Sequence, residues 1–169
     1  VSRLLLTFGG SDILDLGNRV LRLLDALPGP LTVRVVAGRL SNRIDRGGCR
    51  HEVQMLHDVA DMAEHMQWAD LAVAAAGQTI FELAAAGCPA LCLRVADNQS
   101  RTGELFARLG SALVRDARHA TDGELSALLR GMMATESQRA NMSRSGQAAV
   151  DGRGAARVAS VLLASSTLS

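Results

Sequence analysis

Short apolar runs alternate with amphipathic stretches along almost the whole chain. Leu4 to Phe8 is a nearly unbroken apolar run, the pattern of a strand covered on both faces. Gly9-Gly10-Ser11-Asp12 interrupts it, and Leu14 to Leu27 then sets Leu14, Val20, Leu21, Leu24 and Leu27 near one helical face. Pro28-Gly29-Pro30 closes that helix. Leu31 to Ala37 reads as a second strand, Gly38 to Gly48 as an arginine-bearing connection with some helix, and Arg50 to Leu56 as a third strand. Val59 to Gln67 is predicted helical with Met62 and Met66 inward, Leu71 to Ala75 a fourth strand, Thr79 to Ala86 a helix and Pro89 to Val95 a fifth strand. After Ala96-Asp97-Asn98-Gln99 a helix runs to about Leu109, and Ser111 to Arg115 makes a short sixth strand. Two or three helices fill Thr121 to Ala164, and Ser165 to Ser169 reads as a loose tail.

Strands that alternate with helices predict an α/β fold: a Rossmann-like three-layer sandwich whose parallel sheet of about six strands runs in the order 3-2-1-4-5-6. In that order strands one and four are neighbours, and ligands sit in the crevice outside their carboxyl ends. The Gly9-Gly10-Ser11-Asp12 loop therefore meets the Gly77-Gln78-Thr79 loop, although the two lie far apart in sequence.

The length of 169 residues fits one domain, and 48% hydrophobic content can fill its core. With 18 basic residues against 17 acidic ones and only 2% aromatic residues, a nucleic-acid surface of basic patches and stacking rings is not expected. Every basic residue is arginine, and tyrosine is absent too, a bias that reads as base composition of the genome. Without lysine there is no Walker-type phosphate loop, no Schiff-base enzyme and no Tyr/Lys reductase. Cys49, Cys88 and Cys92 have neither disulfide nor zinc spacing and read as buried thiols. No apolar run approaches a membrane span of ~20 residues, no signal-like segment is visible, and a cytoplasmic monomer is expected. The chain opens almost directly in a strand, so it is expected to be a fragment cut at a domain boundary, residues 1–169 forming a single domain.

Chemistry gathers at the two central loops. Glycines let the backbone after strand one approach an anion closely, so Gly9, Gly10 and Ser11 can offer N–H groups and a hydroxyl to phosphate. After strand four, Gly77, Gln78 and Thr79 open a helix whose free N–H groups and positive dipole end also suit an anion. Glu82, one turn in, is set to accept from hydroxyls beside that anion. Phosphate plus ribose is the expected guest. A dinucleotide or S-adenosylmethionine is disfavoured, because the first turn lacks the third glycine of G-x-G-x-x-G and strand two ends Val35-Val36-Ala37-Gly38-Arg39 with no ribose-binding acid.

The run from Asp61-Met62-Ala63 through Trp68-Ala69-Asp70, Gly77, Thr79, Glu82, Ala86-Gly87 and Pro89-Ala90-Leu91 resembles the C-terminal domain of GT-B nucleotide-sugar enzymes. Within that group, Gly9-Gly10-Ser11-Asp12, Ala96-Asp97-Asn98-Gln99 and Asp151-Gly152-Arg153-Gly154-Ala155-Ala156-Arg157-Val158 are most similar to the UDP-sugar hydrolases of pseudaminic acid biosynthesis and spore coat polysaccharide proteins. The peptidoglycan UDP-N-acetylglucosamine transferase is a more distant likeness. The resemblance covers nearly the whole chain. It implies a UDP-sugar ligand, with Glu82 on the uridine ribose and the backbone near Val59 facing uracil. Ser11 and the amides of Gly10, Gln78 and Thr79 would hold the diphosphate, and Asn98 and Gln99 would reach the sugar hydroxyls. The family often carries Pro, Asn and Thr where this chain has Ile13, Asp15 and Gly17, and Ser and Trp where it has Gln78 and Phe81. The longer Gln78 would crowd or replace a phosphate contact.

The same resemblance implies that the catalytic base is a histidine of an N-terminal domain across the cleft, so no catalytic residue is expected in this chain. No cofactor and no metal is implied, because helix termini can take the diphosphate charge. Each residue also has a plainer role open to it. Glu82 could merely stabilise its helix, Asn98 and Gln99 could cap the next one, Asp12 could be an N-cap, and Asp70 could order the start of a strand. Arg94 could meet a phosphate or only solvent. Arg39, Arg43, Arg46 and Arg50 read as a solvated face, and His51, His57, His65 and His119 as non-catalytic. Three functions follow: the nucleotide-binding half of a UDP-sugar hydrolase for nonulosonic acid or surface polysaccharide synthesis, the donor domain of a GT-B glycosyltransferase, or a stand-alone binding subunit with a separate catalytic partner.

Overall fold

The computed structural model describes residues 1–10, 12, 14–38, 44, 45 and 47–166, with the side chains of 165 and 166 excepted. Among these, six strands form one sheet: β1 (Arg3–Thr7), β2 (Thr32–Ala37), β3 (Glu52–His57), β4 (Leu71–Ala75), β5 (Ala90–Arg94) and β6 (Ala112–Asp116). They pair in parallel in the order β3-β2-β1-β4-β5-β6, as the alternation predicts. The helices are α1 (Leu16–Asp25), α2 (Met62–Trp68), α3 (Thr79–Ala86), α4 (Ser100–Arg108), α5 (Asp122–Ala134), α6 (Glu136–Ala149) and α7 (Gly154–Ser166), with a 3-10 turn at Asp97–Gln99. This is a Rossmann-like α/β domain.

Alternation within each strand divides the core between the two faces of the sheet. Leu4 and Leu6 of β1 join Val33, Val35, Leu71, Val73, Leu91 and Leu93 in a layer covered by α1 and α5. Leu5 points the other way, with Ala72, Ala74, Ala90 and Cys92 under Met66 of α2, Ile80 and Leu83 of α3 and Phe106 of α4. The small side chains of that second layer bring the helices close. Cys88 and Cys92 lie in it, and burial pushes both thiols up to about 12; Cys49 is only half-buried. In α7, by contrast, Val158, Val161, Leu162 and Leu163 are all exposed.

Element boundaries move where side chains far from the apolar pattern intervene. The first helix begins at Leu16 rather than Leu14, because Asp12 accepts from the Leu16 and Gly17 N–H groups at 2.8 and 2.6 Å while Asp15 takes the left-handed conformation at φ 53°. Asp12 thus caps the helix from a distance, and Asp15 is its N-cap residue. The second helix begins at Met62 rather than Val59: Asp58 turns the chain at φ 49°, and Asp61 accepts from the Ala63 N–H at 2.9 Å. The third strand begins at Glu52 because the buried ring of His51 is engaged before it, accepting at Nδ1 from the Leu31 N–H and donating from Nε2 to the Leu24 carbonyl at 2.9 Å. The end of the chain is a correction. Where a loose tail was expected from Ser165, α7 continues through Ser166, since no Gly or Pro follows Ala164 to stop it. Residues 167–169, and 39–43 of the arginine-bearing connection, lie outside the described residues.

Asp70 orders the start of β1, as one reading of it held. Its Oδ2 accepts from the Ser2 and Arg3 N–H groups at 2.9 and 3.0 Å, and its Oδ1 from the Arg3 guanidinium at 2.7 Å. Burial works against the charge, but the Arg3 guanidinium and these two N–H groups outweigh it and hold the carboxyl at about 2. A depressed carboxyl pKa stabilises the folded state above its unfolded value of 3.8, and that stabilisation is lost as pH falls through about 2. The stability gap between wild type and Asp70→Asn, read by urea denaturation, is therefore expected to be flat from neutral pH down to about 5, at about 1–2 kcal/mol, and to close below pH 4. A gap that stays constant to pH 2 would contradict it.

Helices α3 and α6 cross at Gly146, where a Cβ would stand 2.9 Å from the Ala84 carbonyl oxygen and 3.0 Å from its Cα. Gly131 of α5 faces open space. One substitution should then have opposite effects at the two sites. Gly131→Ala is expected to stabilise by about 0.5–1 kcal/mol through helix propensity, and Gly146→Ala to destabilise by about 1–3 kcal/mol through overpacking against backbone. Denaturation midpoints of the two variants decide.

Candidate functional site at the carboxyl ends of the strands

Because β1 lies between β2 and β4, three loops leave the sheet side by side. Thr7 pairs with Val36 on one side and Ala74 on the other, so Gly9 and Gly10 emerge between Gly38 and Gly77. Gly9 is at φ 81°, a conformation open to glycine and strained for other residues. Gly38 meets Gly10 so closely that a Cβ there would fall 2.5 Å from the Gly10 Cα and carbonyl oxygen. The first loop is thereby held against the end of β2. Ser11, a predicted phosphate ligand, lies outside the described residues, but the Asp12 carboxylate just beyond it is fixed on the first turn of α1.

On the other side, Gly77 ends β4 and Gln78 is the N-cap of α3 with no side-chain capping bond. The first helical bonds are the short ones from Ile80 to Gly77 O and from Phe81 to Gln78 O. The amides of Gln78 and Thr79 precede these donors, in the part of a helix that has no intrahelical acceptor. Gln78 is exposed and Thr79 half-buried at the mouth of the crevice. Glu82 is exposed on the side of α3 that faces α2, where it lines a groove of about 400 Å3 with Met62, Ala63, Met66, Gln67, Ala85 and Ala86. The groove is apolar apart from Glu82 and Gln67. Val59 is half-buried in the loop between β3 and α2, three residues before Met62 at the groove's end. Its position outside the helix leaves its backbone groups to the loop.

The turn after β5 completes the arrangement. Gln99 Oε1 accepts from the Val95 N–H at 2.8 Å, which turns its Nε2 the other way, and a Cβ on Gly77 would lie 3.6 Å from that nitrogen. Gln99 is the N-cap residue of α4, yet its side chain makes no capping bond, and Asn98 beside it is exposed. Asp97, Arg94, Ser100, Asp116 and Arg118 knit this turn to β6. Arg94 donates to Ser100 Oγ at 2.6 Å and to Asp116 Oδ2 at 2.7 Å, and Arg118 donates to Asp116 Oδ1 and Oδ2 at 3.1 and 2.9 Å and to Asp97 at 2.8 Å. The Arg118 bonds, with help from Arg94, outweigh desolvation and hold the Asp116 carboxyl well below the usual carboxylate range. Arg94 is thus engaged by the protein itself. Among the described residues no cluster of His, Cys, Asp or Glu has the make-up of a metal site, and no helix is long and apolar enough to cross a membrane.

This geometry has counterparts. The model of the glycosyltransferase family 28 C-terminal domain matches residues 5–157. The chain belongs to that family. This family 28 domain is 29% identical to the spore coat polysaccharide biosynthesis protein SpsG of Bacillus subtilis in an alignment of 169 positions that covers 94% of the chain and 49% of SpsG. It is 37% identical, in an alignment of 98 positions that covers 55% of the chain and 28% of the relative, to the UDP-N-acetylglucosamine–N-acetylmuramyl-(pentapeptide) pyrophosphoryl-undecaprenol N-acetylglucosamine transferase of Pseudomonas savastanoi. In fold it superposes on Acinetobacter baumannii MurG with a TM-score of 0.79 at 21% identity, covering 94% of the chain and 48% of MurG. The family 28 domain therefore spans about half the length of SpsG and of MurG.

The sites named from sequence converge in part. Gly9, Gly10, Gly77, Gln78 and Thr79 leave the carboxyl ends of adjacent strands, Gln99 approaches Gly77, and Glu82 lies apart from them in the α2–α3 groove. Gly38 and Arg118 were missed. A glycine directly after β2 was the available signal for the first, whereas Arg118 acts across 21 residues of sequence and left none. Because Gly38 abuts Gly10 backbone, Gly38→Ala is expected to destabilise the family 28 domain by about 1–3 kcal/mol and to move the amide resonances of Gly9 and Gly10. Unmoved glycine resonances in a stable variant would show that the contact is dispensable.

Proposed function

We propose that the domain binds a UDP-sugar and forms the nucleotide-sugar half of a UDP-sugar hydrolase in nonulosonic acid or surface polysaccharide synthesis. The observation that carries this reading is the meeting of the Gly9-Gly10 loop with the amino end of α3 at the carboxyl ends of adjacent strands. Backbone N–H groups of both loops would there be offered to one diphosphate. Glu82 would accept from the ribose hydroxyls, the backbone at Val59 would face the base along the apolar groove, and Asn98 and Gln99 would meet the sugar. Ser11 would add a hydroxyl to the diphosphate. The likeness to SpsG along 94% of the chain favours the hydrolase.

A donor domain of a glycosyltransferase is the second reading, favoured by the higher identity to the N-acetylglucosamine transferase across 98 residues. The two share the donor site and differ in what attacks the sugar. In both, this half stabilises the departing UDP charge, and the base for the incoming nucleophile belongs to another domain. The relatives are about twice as long as this chain, which is consistent with such a division. The isolated chain is expected to bind UDP weakly and to turn over no UDP-sugar.

Titration with UDP, followed by NMR, is expected to shift the amides of Gly10, Gln78, Thr79 and Glu82 at millimolar ligand. Absence of shifts at all four would sink the reading. Glu82→Ala should weaken UDP by about 10- to 100-fold, the scale of hydrogen bonds to a charged acceptor, and leave inorganic phosphate almost unaffected. Equal losses for both ligands would reduce Glu82 to a structural role.

A further inference from the structure

The ion-pair cluster beside the Asp97–Gln99 turn does more than an ordinary set of surface salt bridges can. An isolated exposed pair contributes little, because two flexible side chains must be ordered to make it. Here the ordering is done beforehand. Asp116 is only 10% exposed at its side chain and grips Arg118 through both carboxylate oxygens, and the Arg118 backbone N–H donates to the same group at 3.0 Å. A guanidinium fixed this way presents the second N–H of Nη2 to Asp97 with little further entropy loss. Arg94, held by the same carboxylate, takes Ser100 at the far end of the turn. The turn that carries Asn98 and Gln99 is therefore tied at both ends to one buried acid on β6.

The loop that carries Arg118 is anchored from behind as well. Arg19 of α1 donates to the carbonyls of Ala117 and Ala120 and pairs with Asp122 at 2.7 Å. Arg118 thus stands between a rigid base and an exposed turn. Asp97, 86% exposed at its side chain, is the partner with freedom to lose.

We propose that Arg118 is a positioning residue for the sugar end of the site: by clamping Asp97 to the end of β6, it sets the turn so that the Gln99 amide nitrogen faces Gly77 and the hexose of a bound nucleoside diphosphate sugar. The role rests on the nucleotide-sugar reading above. It assigns Arg118 an effect on sugar recognition and none on the nucleotide, which Gln78, Thr79 and Glu82 would hold two strands away and Gly10 three strands away.

The test uses the full chain with UDP and UDP-N-acetylglucosamine as probes, and native-state exchange of the Val95 amide, whose acceptor is Gln99 Oε1, as a ligand-free readout. In Arg118→Ala the preference for the UDP-sugar over UDP is expected to fall by about 3- to 10-fold, the worth of one or two hydrogen bonds. Affinity for UDP itself should stay within about twofold, and the Val95 amide should exchange several-fold faster. Arg118→Lys, which keeps the charge and loses the fork, should be intermediate. Asp97→Asn should reproduce the alanine variant without touching the Asp116 pair. Equal loss of UDP and UDP-sugar, or unchanged Val95 exchange in Arg118→Ala, overturns the proposal. Failure of wild type to bind UDP overturns the nucleotide-sugar reading instead, and Val95 exchange still judges the clamp.

Discussion

The pairing of β1 with β4 is the constraint from which the rest of the molecule follows. Leu4 meets Leu71 and Thr7 meets Ala74, residues separated by 67 positions of chain, and every loop at the carboxyl edge takes its place from that register. A slip of one residue would turn Leu5 out of the alanine-lined layer and Leu4 and Leu6 into it. Two features guard against this. At the foot of the sheet Asp70 binds the backbone of Ser2 and Arg3 directly. Within the sheet the large side chains of β1 are sorted between a leucine-rich face and a face floored by Ala72 and Ala74.

That sorting is what lets α3 settle near the strands and deliver its amino end to the crevice. Where helices meet one another, glycine performs the same service: Gly146 rests on the backbone of Ala84, and the Cβ-free surface brings α6 against α3. Small residues thus set the distances, and the loops that face the crevice inherit them. Gly38 extends the scheme to the site itself, as its lack of a side chain allows the end of β2 and the Gly9-Gly10 turn to touch. The backbone that would meet a phosphate is positioned by packing rather than by ligand.

Much of this was legible in the chain. Leu71–Ala75 and Thr79–Ala86 were placed to the residue, because an apolar run, a glycine and a second glycine at Gly87 in the left-handed conformation mark their limits locally. Alternation predicts the parallel sheet, and the doubly wound pattern its strand order. What escaped was settled at a distance. No periodicity encodes that Asp12 will cap Leu16 and Gly17, that His51 will be drawn between Leu24 and Leu31, or that Asp58 will turn the chain before Val59. The crevice was likewise half visible: glycines and Glu82 announce themselves by type and spacing, whereas Gln99 reads as a capping residue until its amide oxygen is found on the Val95 N–H. Arg94 stands out in sequence only as a phosphate or solvent contact and Arg118 not at all, since only the fold reveals that both reach Asp116.

A chain with 18 arginines and no lysine also fixes how its ion-pair hub answers to the surroundings. The partners of Asp116 hold its carboxyl below the carboxylate range, and its guanidinium neighbours do not deprotonate at any pH a folded protein tolerates. The Arg94 and Arg118 pairs of Asp116 therefore keep both their charges at neutral pH. Ionic strength can loosen the hub, because the outermost pair, Arg118 with Asp97, stands open to solvent and mobile ions reach it within a Debye length of about 8 Å in physiological salt. The turn that bears Asn98 and Gln99 is accordingly open to tuning by salt.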